Sequence, residues 1–212
     1  MAAVLEELAQ AVIDGDGEQV AALVRRALSD DVAPSRIINE GLIAGMNTVG
    51  ERFRNGEFFI PEVMMSARSM HGGLAIVRPL LSRSDERGRG TIVICTVKGD
   101  VHDIGKNLVA MMLEGGGFRV VDLGTDAAPE KVVAAVREHS PQILAMSTLL
   151  TTTLQRIPET IRALEAAGVR RNVRVMIGGA PVTQAFADRA GADGYAPDAA
   201  LAVELARRLL EK

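Results

Sequence analysis

Gly99-Asp100-Val101-His102-Asp103-Ile104-Gly105 is the stretch that decides the fold, because it lies between an apolar run and the start of a helical pattern. Residues 91–97, just before it, are mostly β-branched or apolar, which predicts a buried strand. A histidine that follows such a strand is presented at the edge of a sheet. Asp100 can orient the ring of His102 through one nitrogen, which leaves the other nitrogen for a metal.

Residues 90–212 alternate between short apolar runs and longer helical patterns. We predict strands near residues 91–97, 119–122, 143–147, 174–177 and 194–196. Five strands in alternation with five helices predict an α/β fold with a five-stranded, parallel, doubly wound sheet of the flavodoxin-like or Rossmann-like kind. In the common strand order 2-1-3-4-5, ligands bind at the carboxyl ends of strands one and three. His102 and Ser147 both lie there.

The first part of the chain has a different pattern. From residue 1 to about residue 81, apolar residues recur at helical spacing, and breakers at residues 14–17, 29–34 and 55–61 separate four helices. This predicts a four-helix bundle. The charged, glycine-containing residues 82–90 predict a linker, so we expect a helical domain at 1–88 and an α/β domain at 89–212.

Composition excludes several classes of protein. The net charge is −3 and only 3% of the residues are aromatic, which argues against nucleic-acid binding. No stretch of about 18 apolar residues predicts a membrane span, and no signal-peptide pattern begins the chain. The single cysteine, Cys95, fits a reducing cytoplasm, and its position in the first strand favours a buried thiol over a nucleophile.

Two further segments are expected at the same sheet edge as His102. Residues 147–153, after the third strand, supply hydroxyl groups that can bond buried polar atoms of a ligand. Gly178 and Gly179, after the fourth strand, leave bare backbone against which a flat or elongated ligand can lie. No phosphate-binding glycine loop follows the first strand, and the scattered histidines do not suggest a zinc site.

Each feature also has an ordinary explanation. Asp100 or Asp103 can simply cap the helix that begins near Ile104, and the threonines can do the same for the helix after them. A lone histidine is often structural, and Gly178-Gly179 can be only a loop.

The joint spacing of these segments resembles a known family. Asp-x-His-x-x-Gly ends at Gly105, 41 residues separate it from Ser147-Thr148-Leu149, and 28 more precede Gly178-Gly179. This pattern is similar to the cobalamin-binding domain shared by methionine synthase and the corrinoid methyl-carrier proteins. Residues 39–53 and 58–63 resemble the helical cap that precedes this domain in that family.

The resemblance implies roles for three residues. His102 would be the lower axial ligand of the cobalt, in the place that the cofactor's own base leaves. Asp100 would accept the proton of the other imidazole nitrogen. Thr153 would be the third member of the relay, at a position that is usually serine.

The resemblance also implies further contacts to the cofactor. They are Gly99, Val101, Asp103, Ile104 and Gly105 after the first strand; Ser147, Leu149 and Thr151 after the third; Gly178 and Gly179 after the fourth; Tyr195 and Ala199 after the fifth; and Phe53, Ile60 and Val63 in the helical half. Ser147 and Thr151 would bond the buried nucleotide tail, the two glycines would line its slot, and residues 195–199 would close over it.

In that family the segment that corresponds to Phe53 and Ile60 shields the cobalt's methyl face. The ordinary alternative is a buried apolar staple between two helices.

The function implied is a methyl shuttle that carries cobalamin or a related corrinoid. Its partners would be a substrate:corrinoid methyltransferase for methanol, methylamines or methyl ethers, a methylcorrinoid:acceptor methyltransferase, and a reductive activator. No group that would activate a methyl donor is visible, so a carrier subunit is expected. A cobalamin-dependent sensor and a B12-binding mutase subunit are the alternatives, although 212 residues leave little room for a sensor's output domain.

Overall fold

The computed structural model describes residues 2–80 and 89–211, which fall into two units. Of the described residues, 2–80 and 114–117 belong to one unit, and 89–113 and 118–211 belong to the other. The predicted linker at 82–90 lies outside the described residues except for its last two positions. The division into domains at 88/89 stays a prediction.

The helical unit contains the four helical segments that the breakers separate. They are α1 (Ala2–Ile13), α2 (Gly17–Ser29), a third segment made of α3 (Pro34–Arg36), a π-helical turn (Ile37–Leu42) and α4 (Ile43–Arg54), and finally α5 (Ile60–Val77).

The π-helical turn was not predicted. Its last bond runs from the Ile43 N–H to the carbonyl of Ile38, five residues back. The wider turn brings Ile37 and Leu42 onto one face, and both side chains are fully buried. In a regular α-helix, residues five apart would point in clearly different directions.

The second unit is a parallel five-stranded sheet in the order β2-β1-β3-β4-β5, as predicted. The strands are β1 (Thr91–Thr96), β2 (Arg119–Asp122), β3 (Ile143–Ser147), β4 (Arg174–Gly178) and β5 (Gly194–Tyr195). The helices are α6 (Ile104–Gly115), α7 (Pro129–His139), α8 (Arg156–Ala166), α9 (Gln184–Ala190) and α10 (Ala199–Leu210). The last two residues of α6 are grouped with the helical unit.

Three strand ends differ from prediction by one residue. Val97 leaves β1 and forms an isolated bridge with Ala127, Gly178 extends β4, and β5 ends at Tyr195.

The core of this unit explains why the central strands are continuous apolar runs. β1 and β3 are covered on both faces, so Ile92, Val93, Ile143 and Leu144 are fully buried. Cys95 is buried as expected, and burial raises the pKa of its thiol to about 12.

The register brings three strand ends level. Thr96 pairs with Ser147, and Ser147 pairs with Gly178. The segments after β1, β3 and β4 therefore leave the sheet at one edge, where ligands bind in this fold. Among the described residues, no helix is long and apolar enough to cross a membrane.

Candidate functional site

The loop after β1 folds back over the end of its own strand. Gly99 has a φ of +80°, a left-handed conformation that favours glycine, and the Asp100 N–H donates to the carbonyl of Val97 at 3.1 Å. The hydroxyl of Thr96 donates to the carbonyl of His102 at 2.8 Å. These bonds hold His102 at the end of β1.

Asp100 is the centre of the site. Its side chain is fully buried, and Oδ1 accepts the His102 backbone N–H at 3.0 Å and lies 2.7 Å from His102 Nδ1. Oδ2 accepts the backbone N–H groups of Leu149 at 2.7 Å and Leu150 at 3.2 Å. Burial by itself would raise the pKa of Asp100, but the hydrogen bonds from Leu149, His102 and Leu150 outweigh it and hold that pKa well below its usual range.

This geometry settles the tautomer of His102. An ionised carboxylate only accepts hydrogen bonds, so Nδ1 carries a proton, and in the neutral ring Nε2 bears the free lone pair. The side chain of His102 is 48% exposed. His102 can therefore ligate a metal through Nε2 while Asp100 orients the ring.

The alternative in which Asp100 caps α6 is wrong. Its carboxylate bonds the loop after β3, not the first turn of that helix. Asp103 instead lies at the start of α6, where its carbonyl accepts the Asn107 N–H at 2.7 Å.

Two threonines complete the group around Asp100. Thr153, the expected third member, has its hydroxyl 3.3 Å from Oδ2 of Asp100. Thr148 is closer, at 3.1 Å, and its hydroxyl lies 2.6 Å from that of Thr153. The shortest chain runs Thr153, Thr148, Asp100, His102. Thr148 was missed as a site residue, although its position directly after Ser147 at the end of β3 was a signal.

The glycine that directly follows β4 is required by the protein's own backbone. Gly179 has a φ of +119°, and a Cβ atom there would lie 1.8 Å from the carbonyl oxygen of Thr148. The Thr148 N–H also donates to the carbonyl of Gly178 at 3.2 Å. Gly179 therefore lets the ends of β3 and β4 approach closely beside Asp100.

Four large apolar side chains on the loops after β1 and β3 are exposed. Val101 is 71% exposed and Ile104 is 77% exposed, and both flank His102 in the chain. Leu149 and Leu150, whose amides bond Asp100, are 45% and 38% exposed. Exposed apolar groups on the two loops that Asp100 joins, one of which carries His102, suit a flat, largely apolar macrocycle that brings its own metal.

The other predicted contacts in this unit have different environments. Ser147 and Tyr195 are half-buried, Thr151 is exposed, and Ala199 is buried. Around Gly105 a Cβ atom would meet nothing within 4 Å. Their roles in binding stay predictions.

The three predicted cap residues differ among themselves. Val63 is fully buried inside the helical unit, Phe53 is half-buried, and Ile60 is 43% exposed. Phe59, next to Ile60, is 66% exposed. A permanently buried staple accounts for Val63 but not for Ile60.

No group of three or more His, Cys, Asp and Glu side chains that could hold a metal ion converges within residues 2–80 and 89–211. A macrocycle that supplies the remaining ligands needs only one from the protein, and His102 can be that one.

Comparisons with known proteins agree with this chemistry. A B12 binding domain model matches residues 90–204, and a second B12 binding domain model matches residues 4–78. The chain is 43% identical to a corrinoid protein of Desulfitobacterium hafniense strain Y51 over 98% of both chains. It is 44% identical to the dimethylamine corrinoid protein of Methanosarcina barkeri over 97% of both.

A solved structure is also similar. A chain of the methanol:cobalamin methyltransferase complex from Methanosarcina barkeri superposes with a TM-score of 0.90 at 32% identity. The match covers 99% of this chain and 80% of that one.

Proposed function

The chain belongs to the family of corrinoid proteins of methyltransferase systems, and we propose that its His102 ligates the cobalt in place of the cofactor's own base. The protein is a methyl carrier, and its cofactor is a cobalamin or related corrinoid. The observation that carries this proposal is the pair formed by Asp100 and His102. The Nδ1 atom is 2.7 Å from a buried, ionised carboxylate, so the free lone pair of the neutral ring is on Nε2, and the side chain is 48% exposed.

The residues present fit such a cofactor. His102 would ligate its cobalt, and the exposed side chains of Val101, Ile104, Leu149 and Leu150 would contact its apolar parts. When bound, the corrinoid supplies a cobalt centre that accepts a methyl group and passes it on.

The chain's own contribution is to set the basicity and orientation of one imidazole. Asp100 keeps the proton on Nδ1, which makes Nε2 the ligating atom. The hydroxyl of Thr148 and the amides of Leu149 and Leu150 keep Asp100 ionised and in place. Such outer partners fix the orientation of a metal-ligating histidine and strengthen it as a ligand.

We further propose that one methyltransferase loads this carrier and a second unloads it, and that a reductive activator restores the reactive cobalt state. The support is by similarity. The relatives include dimethylamine and trimethylamine corrinoid proteins, and the similar solved structure is a methanol methyltransferase complex. Methylated amines are the first donors to test, because dimethylamine and trimethylamine corrinoid proteins are 44% and 40% identical to this chain over nearly its whole length.

The alternatives of a sensor and a mutase subunit are less well supported. Relatives that match nearly the whole chain are named corrinoid proteins, and they include a dimethylamine and a trimethylamine corrinoid protein. The cytoplasmic location stays a prediction.

The test is reconstitution of the full chain with diaquacobinamide, a corrinoid that has no base of its own to ligate the cobalt, followed by its visible spectrum. Wild type should show a protein nitrogen ligand, and His102→Ala should lose that signature but still bind the corrinoid more weakly. His139→Ala, which changes a histidine at the end of α7, is the matched control. An unchanged spectrum in His102→Ala would refute the assignment.

The carrier role is tested separately. The reduced, reconstituted protein is mixed with a dimethylamine-specific or a methanol-specific methyltransferase and its substrate, and the absorbance change is followed. A change that needs the enzyme and the donor supports a carrier. A change caused by illumination alone would support a sensor.

A further inference from the structure

The loop after β2 is tied to the loop that carries His102. The Gly99 N–H donates to Oδ1 of Asp126 at 2.7 Å, and the Asp126 N–H donates to the carbonyl of Asp100 at 3.0 Å. The two bonds close a ring around the link between Gly99 and Asp100. Asp126 therefore holds the backbone from which the Asp100 carboxylate projects.

The backbone of Asp126 is itself fixed against β1. The Thr96 N–H donates to the carbonyl of Gly124 at 2.9 Å, and the Ala127 N–H donates to the carbonyl of Thr96 at 3.0 Å. Asp126 has a φ of +51°, a left-handed conformation that aspartate tolerates better than most residues. The loop thus presents the Asp126 carboxylate from a rigid base.

The far end of the His102 loop has a separate tie. The ammonium of Lys106, in the first turn of α6, is almost completely buried and pairs with the carboxylate of Asp122 at the end of β2. It also donates to the side-chain oxygen of Asn107 at 2.6 Å. Removal of the Asp126 carboxylate should therefore loosen the Gly99 end of the loop and leave the fold intact.

We propose that Asp126 is a positioning residue that holds His102 ready for the cofactor. It acts through Gly99 and Asp100, and it does not touch the cobalt. The inference rests on the proposed role of His102 as cobalt ligand. Asp126 is not among the site residues predicted from the sequence.

The expected size of the effect follows from its distance from the metal. Changes to the direct partners of a metal-ligating histidine typically cost 10–100-fold in metal affinity or activity, and Asp126 is one step further out, so we expect a loss of about fivefold. The bond is to a backbone N–H, so any side chain that places an acceptor at the same point should serve.

The experiment uses the full chain as Asp126→Ala and Asp126→Asn, titrated with diaquacobinamide, which has no base of its own to ligate the cobalt. Asn keeps an acceptor and also tolerates the left-handed backbone. The control is Asp16→Ala, which removes a bond of the same kind, from Gln19 N–H to Oδ1 of Asp16 at 2.9 Å, at the start of α2. Visible spectra report ligation by His102, and hydrogen exchange of the Asp100 and His102 amides in the apoprotein reports the loop.

We expect Asp126→Ala to bind the corrinoid about fivefold more weakly and to show a smaller fraction of histidine ligation. The amides of Asp100 and His102 should exchange faster in this variant. Asp126→Asn and Asp16→Ala should resemble wild type. Wild-type affinity and spectrum in Asp126→Ala would overturn the inference, and so would failure of Asn to restore them or an equal loss in Asp16→Ala. If His102→Ala has a wild-type spectrum, the proposed ligand fails instead.

Discussion

The hydroxyl groups of Thr148 and Thr153 lie 2.6 Å apart and both face one carboxylate oxygen of Asp100. Each hydroxyl has a single proton to donate. Thr153 has a second acceptor at 2.9 Å, the carbonyl of Leu150, whereas the same carbonyl is 3.4 Å from Thr148. Thr148 therefore has the shorter contact with the carboxylate, at 3.1 Å against 3.3 Å, whereas Thr153 has two nearer neighbours, the Thr148 oxygen and the Leu150 carbonyl.

The first prediction separates the two threonines. Thr148→Val removes a hydrogen bond to a buried charged group and should lower the free energy of unfolding by about 2 kcal/mol. Thr153→Val should cost about 1 kcal/mol, because its bond to Asp100 is longer. Urea denaturation of the apoprotein measures both, with Thr148→Ser as the control that keeps the hydroxyl. A larger loss in Thr153→Val would contradict this order.

Much of the site could be predicted from strand ends. His102 follows β1 and Thr153 follows β3, and the carboxyl ends of neighbouring parallel strands share an edge. A pattern in sequence could not show that the amides of Leu149 and Leu150 converge on Asp100, because this depends on the path of the loop. The tie from Asp126 to Gly99 escaped prediction for the same reason.

The glycine pair shows the same limit from another direction. Gly178 and Gly179 were predicted to clear space for a ligand, which stays a prediction. The structure adds a cause that lies within the protein, since the backbone of Gly179 passes against the carbonyl of Thr148. One residue can thus serve the fold and the site, and sequence alone does not separate the two.

The second prediction tests that cause. Gly179→Ala places a Cβ atom 1.8 Å from a backbone oxygen, at a φ of +119°, so the strand ends must move apart. We expect a loss of more than about 3 kcal/mol in the free energy of unfolding. Gly168→Ala is the matched control, because φ there is +72° but nothing lies within 4 Å, and it should cost about 1 kcal/mol. An equal loss of unfolding free energy in the two variants would mean that backbone conformation alone explains why position 179 needs glycine.

The third prediction concerns Cys95. Burial raises the pKa of its thiol from 9.0 to about 12, so the folded protein holds the proton more tightly than the unfolded chain. This contribution to stability is complete below about pH 9 and is lost as the pH rises towards 12. At pH 8, iodoacetamide should modify Cys95 only at the rate of unfolding. The same reaction in urea is the control, and modification of the native protein at the rate of a free thiol would contradict the burial.

The last prediction concerns the helical unit, where exposure divides the predicted cap residues. Ile60 is 43% exposed and Val63 is fully buried, so only Ile60 has surface free to cover a ligand without a change in the unit's core. Ile60→Ala should change the free energy of unfolding by less than about 1 kcal/mol, and Val63→Ala should cost about 2 kcal/mol through the cavity it leaves.

If Ile60 shields the methyl face, Ile60→Ala should speed photolysis of the protein loaded with methylcobalamin, because radicals formed on cleavage escape more easily from a looser cage. Phe53→Ala, at a half-buried position, should have the same effect. Photolysis is measured under constant illumination with stability determined in parallel, since a variant that merely loosens the whole unit would also speed it. An equal acceleration in Val63→Ala would therefore assign the effect to lost stability, and unchanged photolysis in folded Ile60→Ala and Phe53→Ala would remove both from the cap.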